Sequence, residues 1–167
     1  GDDAIPEEAG ILPGAIDRDA EEEPVTAVDE SPLKQITEKV TYDPQVVEIH
    51  PRVIKTVLER RRKMVLEDGE GIDFGMAETL AYGSLLLEGV PVRLSGQDVG
   101  RGTFAHRHAI LYDNKDGRPY IPLQYLYRSR DDETESLSAS HFRVYDSLLS
   151  EEGVLGFEYG YSVTHPD

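Results

Sequence analysis

Val92-Arg93-Leu94-Ser95-Gly96-Gln97-Asp98-Val99-Gly100-Arg101-Gly102-Thr103-Phe104-Ala105-His106-Arg107-His108 is the stretch on which the fold turns. Its apolar start breaks into a loop that carries Gly96, Gly100 and Gly102 with Asp98 and Arg101, and the loop closes on a His-Arg-His triplet. This is how a strand hands over to a loop that carries a site. Glycine admits positive φ and lets another group approach the backbone, so three within seven residues are unfavourable unless the path needs them. From local chemistry alone, a solvated surface turn is the competing reading.

Upstream, Val90 to Leu94 follows directly on an expected helix, so the order is helix, tight turn, strand. Asp73 reads as the N-cap of that helix, with Ala77, Leu80, Ala81 and Leu87 inward and Gly89 just past its end. Glu78 in its first turns complements the helix dipole. The first convincing element begins near Pro51 and runs through Val53, Ile54, Val57, Leu58, Met64 and Val65 until Asp68 and Gly69 stop it. Its Arg60-Arg61-Arg62-Lys63 run reads as a solvated, dipole-matched face rather than a phosphate site. Residues 1–32 are acidic and rich in Pro, Gly and Ala, without period, and read as a poorly ordered linker or tail.

Downstream, Ala109 to Tyr112 and Tyr120 to Leu123 flank Asn114-Lys115-Asp116-Gly117, a turn signal that implies a hairpin or a strand with an extended return. Residues 128–140 read as a polar surface insertion. Phe142, Val144 and Leu148 lead to Ser150, which caps a helix from Glu151 to about Tyr161. On it Gly153, Gly156 and Gly160 leave one face without side chains, against which a second helix or a flat ligand can pack.

At 167 residues the chain holds one ordinary domain and a tail. A net charge of -16 argues against nucleic acid and anionic membrane as partners, since both require a basic face. There is no Cys, and no apolar run approaches the roughly 18 residues of a membrane span, so the expectation is a soluble protein of a reducing compartment. His106 and His108, at i and i+2, would share one face of a strand, and His-x-His can bind zinc. No clustered third ligand accompanies them, so a hydrogen-bonding or proton-shuttling role is preferred and no metal ligand is assigned. Arg93, Arg101 and Arg107 suit a carboxylate or phosphate, or an ordinary ion pair with Asp98 or another acid. Glu151 and Glu152 complement a helix dipole; buried against a heterocycle, either would gain a raised pKa and exchange a proton.

Several blocks resemble one family in order and spacing. They are Asp73-Phe74-Gly75-Met76-Ala77-Glu78-Thr79-Leu80-Ala81, Val92-Arg93-Leu94-Ser95-Gly96-Gln97-Asp98, Gly100-Arg101-Gly102-Thr103-Phe104, His106-Arg107-His108-Ala109, Pro122-Leu123-Gln124, Phe142-Arg143-Val144-Tyr145-Asp146-Ser147, Leu149-Ser150-Glu151-Glu152 and Phe157-Glu158-Tyr159-Gly160-Tyr161. From about Leu33 onward the chain resembles the thiamine-diphosphate-dependent, decarboxylating first component of 2-oxoglutarate dehydrogenase. The resemblance implies an α/β fold, with residues 33–167 forming the N-terminal part of a transketolase-like pyrimidine-binding domain, a parallel sheet flanked by helices. It also implies that Glu151 bonds the pyrimidine ring nitrogen and favours the tautomer that removes the thiazolium proton. Ser150, Gln97 and Asp98 become cofactor-side residues, and His108 and His106 substrate-side residues.

Oxidative decarboxylation of 2-oxoglutarate in the tricarboxylic acid cycle, with succinyl transfer to the lipoyl group of the next component, is the implied activity. Bacterial cytoplasm, or the mitochondrial matrix of a eukaryote, is the implied place. The family's metal-diphosphate motif is absent, since Gly1-Asp2-Asp3 is not it, so Mg²⁺ is expected on a partner domain. The chain stops at Asp167, so turnover is expected to need further segments and a second subunit. Two alternatives stay open: a non-catalytic assembly or dimerisation module, and a decarboxylase or carboligase acting on the same acid.

Overall fold

The computed structural model describes residues 25–41, 47–67, 71–126 and 141–165. The readings of segment 1–24, of Asp68 and Gly69 and of the 128–140 insertion lie outside the described residues.

A helix that the sequence reading passed over comes first: α1 spans Glu30–Val40, ahead of the Pro51 start expected for the first element. Its apolar stripe is only Leu33, Ile36 and Val40, too short to stand out and too short to hold an isolated helix in water. Packing makes it: Ile36 is fully buried, and a Cβ on Gly83 would lie 2.6 Å from its Cγ2 atom. The second helix, α2, starts as Pro51–Val53, passes through a π-helical turn at Ile54–Leu58 and continues as Glu59–Leu66. His50 caps it, its Nδ1 accepting the Arg52 N–H at 3.2 Å. The inward positions of its second half are Leu58, Arg61 and Met64.

α3 spans Phe74–Leu87, and the Asp73 carboxylate accepts the Met76 N–H at 2.9 Å, as the sequence implied. Its inward face differs from the expected one. Ala77 and Ala81 are exposed, whereas Met76, Leu80, Gly83 and Leu86 are buried. Apolar residues surround this helix, so period alone does not select a face; the position of α1 and of the sheet does. Gly89, at φ 82°, closes it.

β1, Val92–Gly96, pairs in parallel with β4, Phe142–Asp146, Val92 standing opposite Phe142 and Gly96 opposite Asp146. Between them in sequence come β2, Leu111–Tyr112, and β3, Pro119–Tyr120, a separate antiparallel pair around the expected turn. The buried Asp113 carboxylate accepts the Lys115 N–H at 2.8 Å and the Glu48 N–H at 3.3 Å, which ties the turn to the segment before α2. A 3-10 turn, Pro122–Tyr125, follows, and the Gln124 amide donates to the Phe142 carbonyl at 2.9 Å. The last helix, α4, spans Glu151–Thr164, with Ser150 Oγ accepting the Gly153 N–H at 3.3 Å.

The result is an α/β arrangement: a parallel strand pair with helices packed about it. The main core joins Ile36, Val40, Met64, Met76, Leu80 and Phe142; a second cluster, Ile49, Leu58, Leu111 and Tyr120, lies beneath the hairpin. No described helix is long and apolar enough to cross a membrane.

Candidate functional site

The glycine loop leaves β1 at Gly96 and returns at Ile110, whose N–H donates to the Gly100 carbonyl at 3.2 Å. Residues 105–108 are not a strand, so His106 and His108 do not share a strand face as their spacing suggested. Ala105 has φ 53° and His108 φ 46°, left-handed values disfavoured for residues with a Cβ. The turn is held from several sides. The N–H groups of Arg107 and His108 both donate to the Arg101 carbonyl at 3.0 Å. Arg107 makes a fork to Glu78, at 3.0 and 3.1 Å, and a bond to the Val99 carbonyl at 3.1 Å. Arg61 donates to the carbonyls of His106 and Arg107 at 2.9 and 2.6 Å.

Glu78 is thus an ion-pair partner, not a dipole complement; it also accepts the Tyr82 hydroxyl at 3.2 Å. Bonding to Glu78 lifts the Arg107 pKa, while burial, reinforced by the Glu78 charge, lifts that of Tyr82. His108 stands in the wall of a small cleft with Arg61, Thr79, Tyr82 and Leu123. Burial, and then the Arg61 charge, hold its imidazole below the usual histidine pKa, which favours the neutral ring. Beside it, His106 Nδ1 is buried with no hydrogen-bond partner. A Cβ on Gly102 would lie 2.5 Å from the His106 ring, so that glycine is needed for its φ of 81° and for space.

The second group forms at the start of α4. Ser147 N–H donates to the Gly96 carbonyl at 2.8 Å, and the Gln97 amide reaches the Leu148 carbonyl at 3.5 Å. The loop after β1 therefore meets the segment that enters α4. Asp98 instead pairs with Arg101 at 2.6 Å, one of the two options its spacing left open. Glu151 stands exposed in the first turn of α4. Cβ atoms on Gly156 and Gly160 would meet nothing within 4 Å, so that face of the helix is bare. α4 lies on the sheet through a clamp: Arg93 Nε is 2.9 and 2.8 Å from the two Glu158 oxygens, and Ser95 Oγ donates to Glu158 at 2.7 Å. The guanidinium carbon lies over the rings of Tyr145 and Tyr161, at 4.2 and 4.5 Å from their centroids.

Residues 70–166, which hold both groups, match the family described as transketolase, pyrimidine binding domain. The chain belongs to that family. The curated relatives of this pyrimidine-binding chain include proteins of Brucella ovis and Brucella canis, each 47% identical over 141 residues, and one of Brucella anthropi, 46% identical over the same length. All three carry the name 2-oxoglutarate dehydrogenase E1 component. Each alignment covers 84% of this chain and 13% of the relative, so the chain spans about an eighth of their length.

The structure thus gathers the expected site residues into two groups: Ser150, Glu151 and Gln97 at the start of α4, and His106 and His108 against α2 and α3. Asp98 sits between them, turned to Arg101. Among the described residues no set of three His, Asp or Glu side chains is placed to hold a metal. Arg61 and Glu158 were missed. Arg61 had a signal, because it falls three residues from both Leu58 and Met64 on the apolar stripe of α2. Glu158 had none, since its partners are 63 and 65 residues away.

Proposed function

We propose that this chain supplies the pyrimidine side of the cofactor site in a thiamine-diphosphate-dependent 2-oxoglutarate dehydrogenase E1 component. The observation that carries the reading is the start of α4, where an exposed Glu151 precedes a helix face bared by Gly156 and Gly160. The fit with the cofactor is chemical: a flat, weakly basic ring needs a close backbone approach and one carboxyl group, and both are present there. When bound, thiamine diphosphate supplies the nucleophilic carbon and the electron sink that decarboxylation of a 2-oxo acid requires.

Glu151 holds a proton at the pyrimidine ring nitrogen. Ser150 caps the helix and fixes where that carboxyl begins, while Gln97 and Asp98 line the loop side. His108, kept neutral by its surroundings, donates or accepts a hydrogen bond toward the 2-oxo acid, with His106 beside it. The unit that does this begins with α1 at Glu30, three residues before the boundary expected at 33, with the acidic segment ahead of it. Mg²⁺ and the diphosphate belong to another domain of the enzyme, and a second subunit completes the site. 2-Oxoglutarate is the substrate, a lipoyl-bearing succinyltransferase the acceptor, and the cytoplasm of a bacterium the place of action. The name of the Brucella relatives supports the substrate.

The test is Glu151→Gln in the full-length enzyme carrying this sequence. Turnover of 2-oxoglutarate falls by at least about 100-fold if the carboxyl group manages the ring proton, in line with the usual worth of positioned acid-base groups. Normal turnover overturns the reading and leaves the chain as an assembly module of the same fold.

A further inference from the structure

Within Arg60-Arg61-Arg62-Lys63 only Arg61 is buried, at 7% exposure, while its three neighbours face solvent. A buried guanidinium needs partners for its donors, and here two of them are backbone carbonyls 45 and 46 residues away, those of His106 and Arg107. These carbonyls immediately precede His108, in a turn that Ala105 and His108 enter with left-handed backbone angles. Such a path persists only where its surroundings over-determine it. Gly75 blocks one escape, since a Cβ there would sit 2.0 Å from the His106 carbonyl oxygen. The π-helical turn at Ile54–Leu58, three residues ahead, sets the phase at which α2 presents Arg61.

We propose that Arg61 is a positioning residue for His108: by gripping the two carbonyls before it, Arg61 holds the 105–108 turn so that the imidazole stands in the cleft between α2 and α3. The inference rests on the reading of His108 as a substrate-side group. The groups facing His108 are Arg61 from α2, Tyr82 with Glu78 behind it from α3, and Arg101, His106 and Arg107 from its own loop; α1 and the 3-10 turn contribute apolar side chains. Arg61 is the foremost cation among them in its effect on His108, so its removal also raises the pH at which that ring titrates.

The experiment uses the full-length enzyme, loaded with thiamine diphosphate and Mg²⁺, as Arg61→Met, Arg61→Lys and His108→Asn. Carbethoxylation of His108 by diethyl pyrocarbonate, followed site by site by mass spectrometry across pH, reports its titration without relying on turnover. In Arg61→Met the midpoint moves up, amide exchange across residues 105–110 quickens, and kcat/KM for 2-oxoglutarate falls about 10- to 100-fold, as for a reacting group displaced by an ångström. Arg61→Lys keeps the charge on a shorter side chain, which draws back the one nitrogen that bonds both carbonyls, so the midpoint returns most of the way and kcat/KM only in part. Wild-type amide exchange across residues 105–110 in Arg61→Met overturns the proposal, whether activity is kept or lost. If Arg61→Met does not fold, Arg61→Lys decides: wild-type exchange and wild-type kcat/KM there overturn it. If His108→Asn turns over normally, the functional reading of His108 fails, and the midpoint and exchange still decide whether Arg61 sets its position.

Discussion

Gly75 sets how closely α3 approaches the His106 turn. Its hypothetical Cβ would lie 2.0 Å from a backbone oxygen and 3.0 Å from the Arg61 guanidinium, and neither can retreat without breaking a hydrogen bond. Gly75→Ala is therefore expected to destabilise the chain by about 2–3 kcal/mol, at the upper end of ordinary overpacking, despite the better helix propensity of alanine. Urea unfolding checks this, and a gain in stability would refute it. His108 makes a second prediction at this scale. Burial, then Arg61, depress its folded pKa, so below the unfolded value near 6.5 the unfolded chain binds more protons than the folded one. The contribution is fully present above that pH and is lost as the pH falls through the depressed folded value. His108→Gln should flatten the decline of the unfolding midpoint as the pH falls below about 6.5.

Among the elements, α4 depends most on a few polar contacts, because none of its residues is fully buried. Val154, Glu158 and Tyr161 turn partly inward, at spacings of four and three, while Leu155, Phe157, Tyr159 and Val163 remain exposed. The Arg93–Glu158 pair, with two tyrosine rings against its guanidinium, has side chains about a quarter exposed, so solvent screens it only in part. Glu158→Gln keeps the shape and removes the charge. The loss is expected near 1–2 kcal/mol, read as a five- to thirtyfold rise in amide exchange along residues 151–164 with little change in α3. Equal quickening in both helices would show that the clamp supports the whole fold rather than the docking of α4. α1 illustrates the opposite case, where apolar packing makes a helix that its own sequence barely favours.

For the whole molecule, the exposed side of α4 has the larger consequence. Leu148 is fully exposed and Leu155, Tyr159 and Val163 are each more than 60% exposed, next to the bare glycine face. Such a surface favours association. Sedimentation of this chain should shift to larger species as concentration rises, and Leu155→Glu with Val163→Glu should suppress the shift; a concentration-independent monomer would disprove the expectation. The net charge of -16 opposes association at low ionic strength, so added salt should strengthen it.

Much of this was legible in the sequence because it is local. Asp73 and Ser150 cap their helices, Asn114-Lys115-Asp116-Gly117 turns a hairpin, and Gly89 ends α3, since each acts within a few residues of itself. The ordered blocks sufficed to reach the pyrimidine-binding family, and Asp98–Arg101 was one of the pairings their spacing allowed. Tertiary structure alone decided what depends on distant partners. Which face of α3 turns inward follows from α1 and the sheet, because an almost uniformly apolar helix has no preferred side. Whether Arg61 faces water or the His106 turn follows from contacts 45 residues apart, and the bend that separates His106 from His108 follows from two left-handed residues that neither composition nor spacing encodes. Short-range geometry is written in neighbouring residues, whereas burial is settled only when the elements meet.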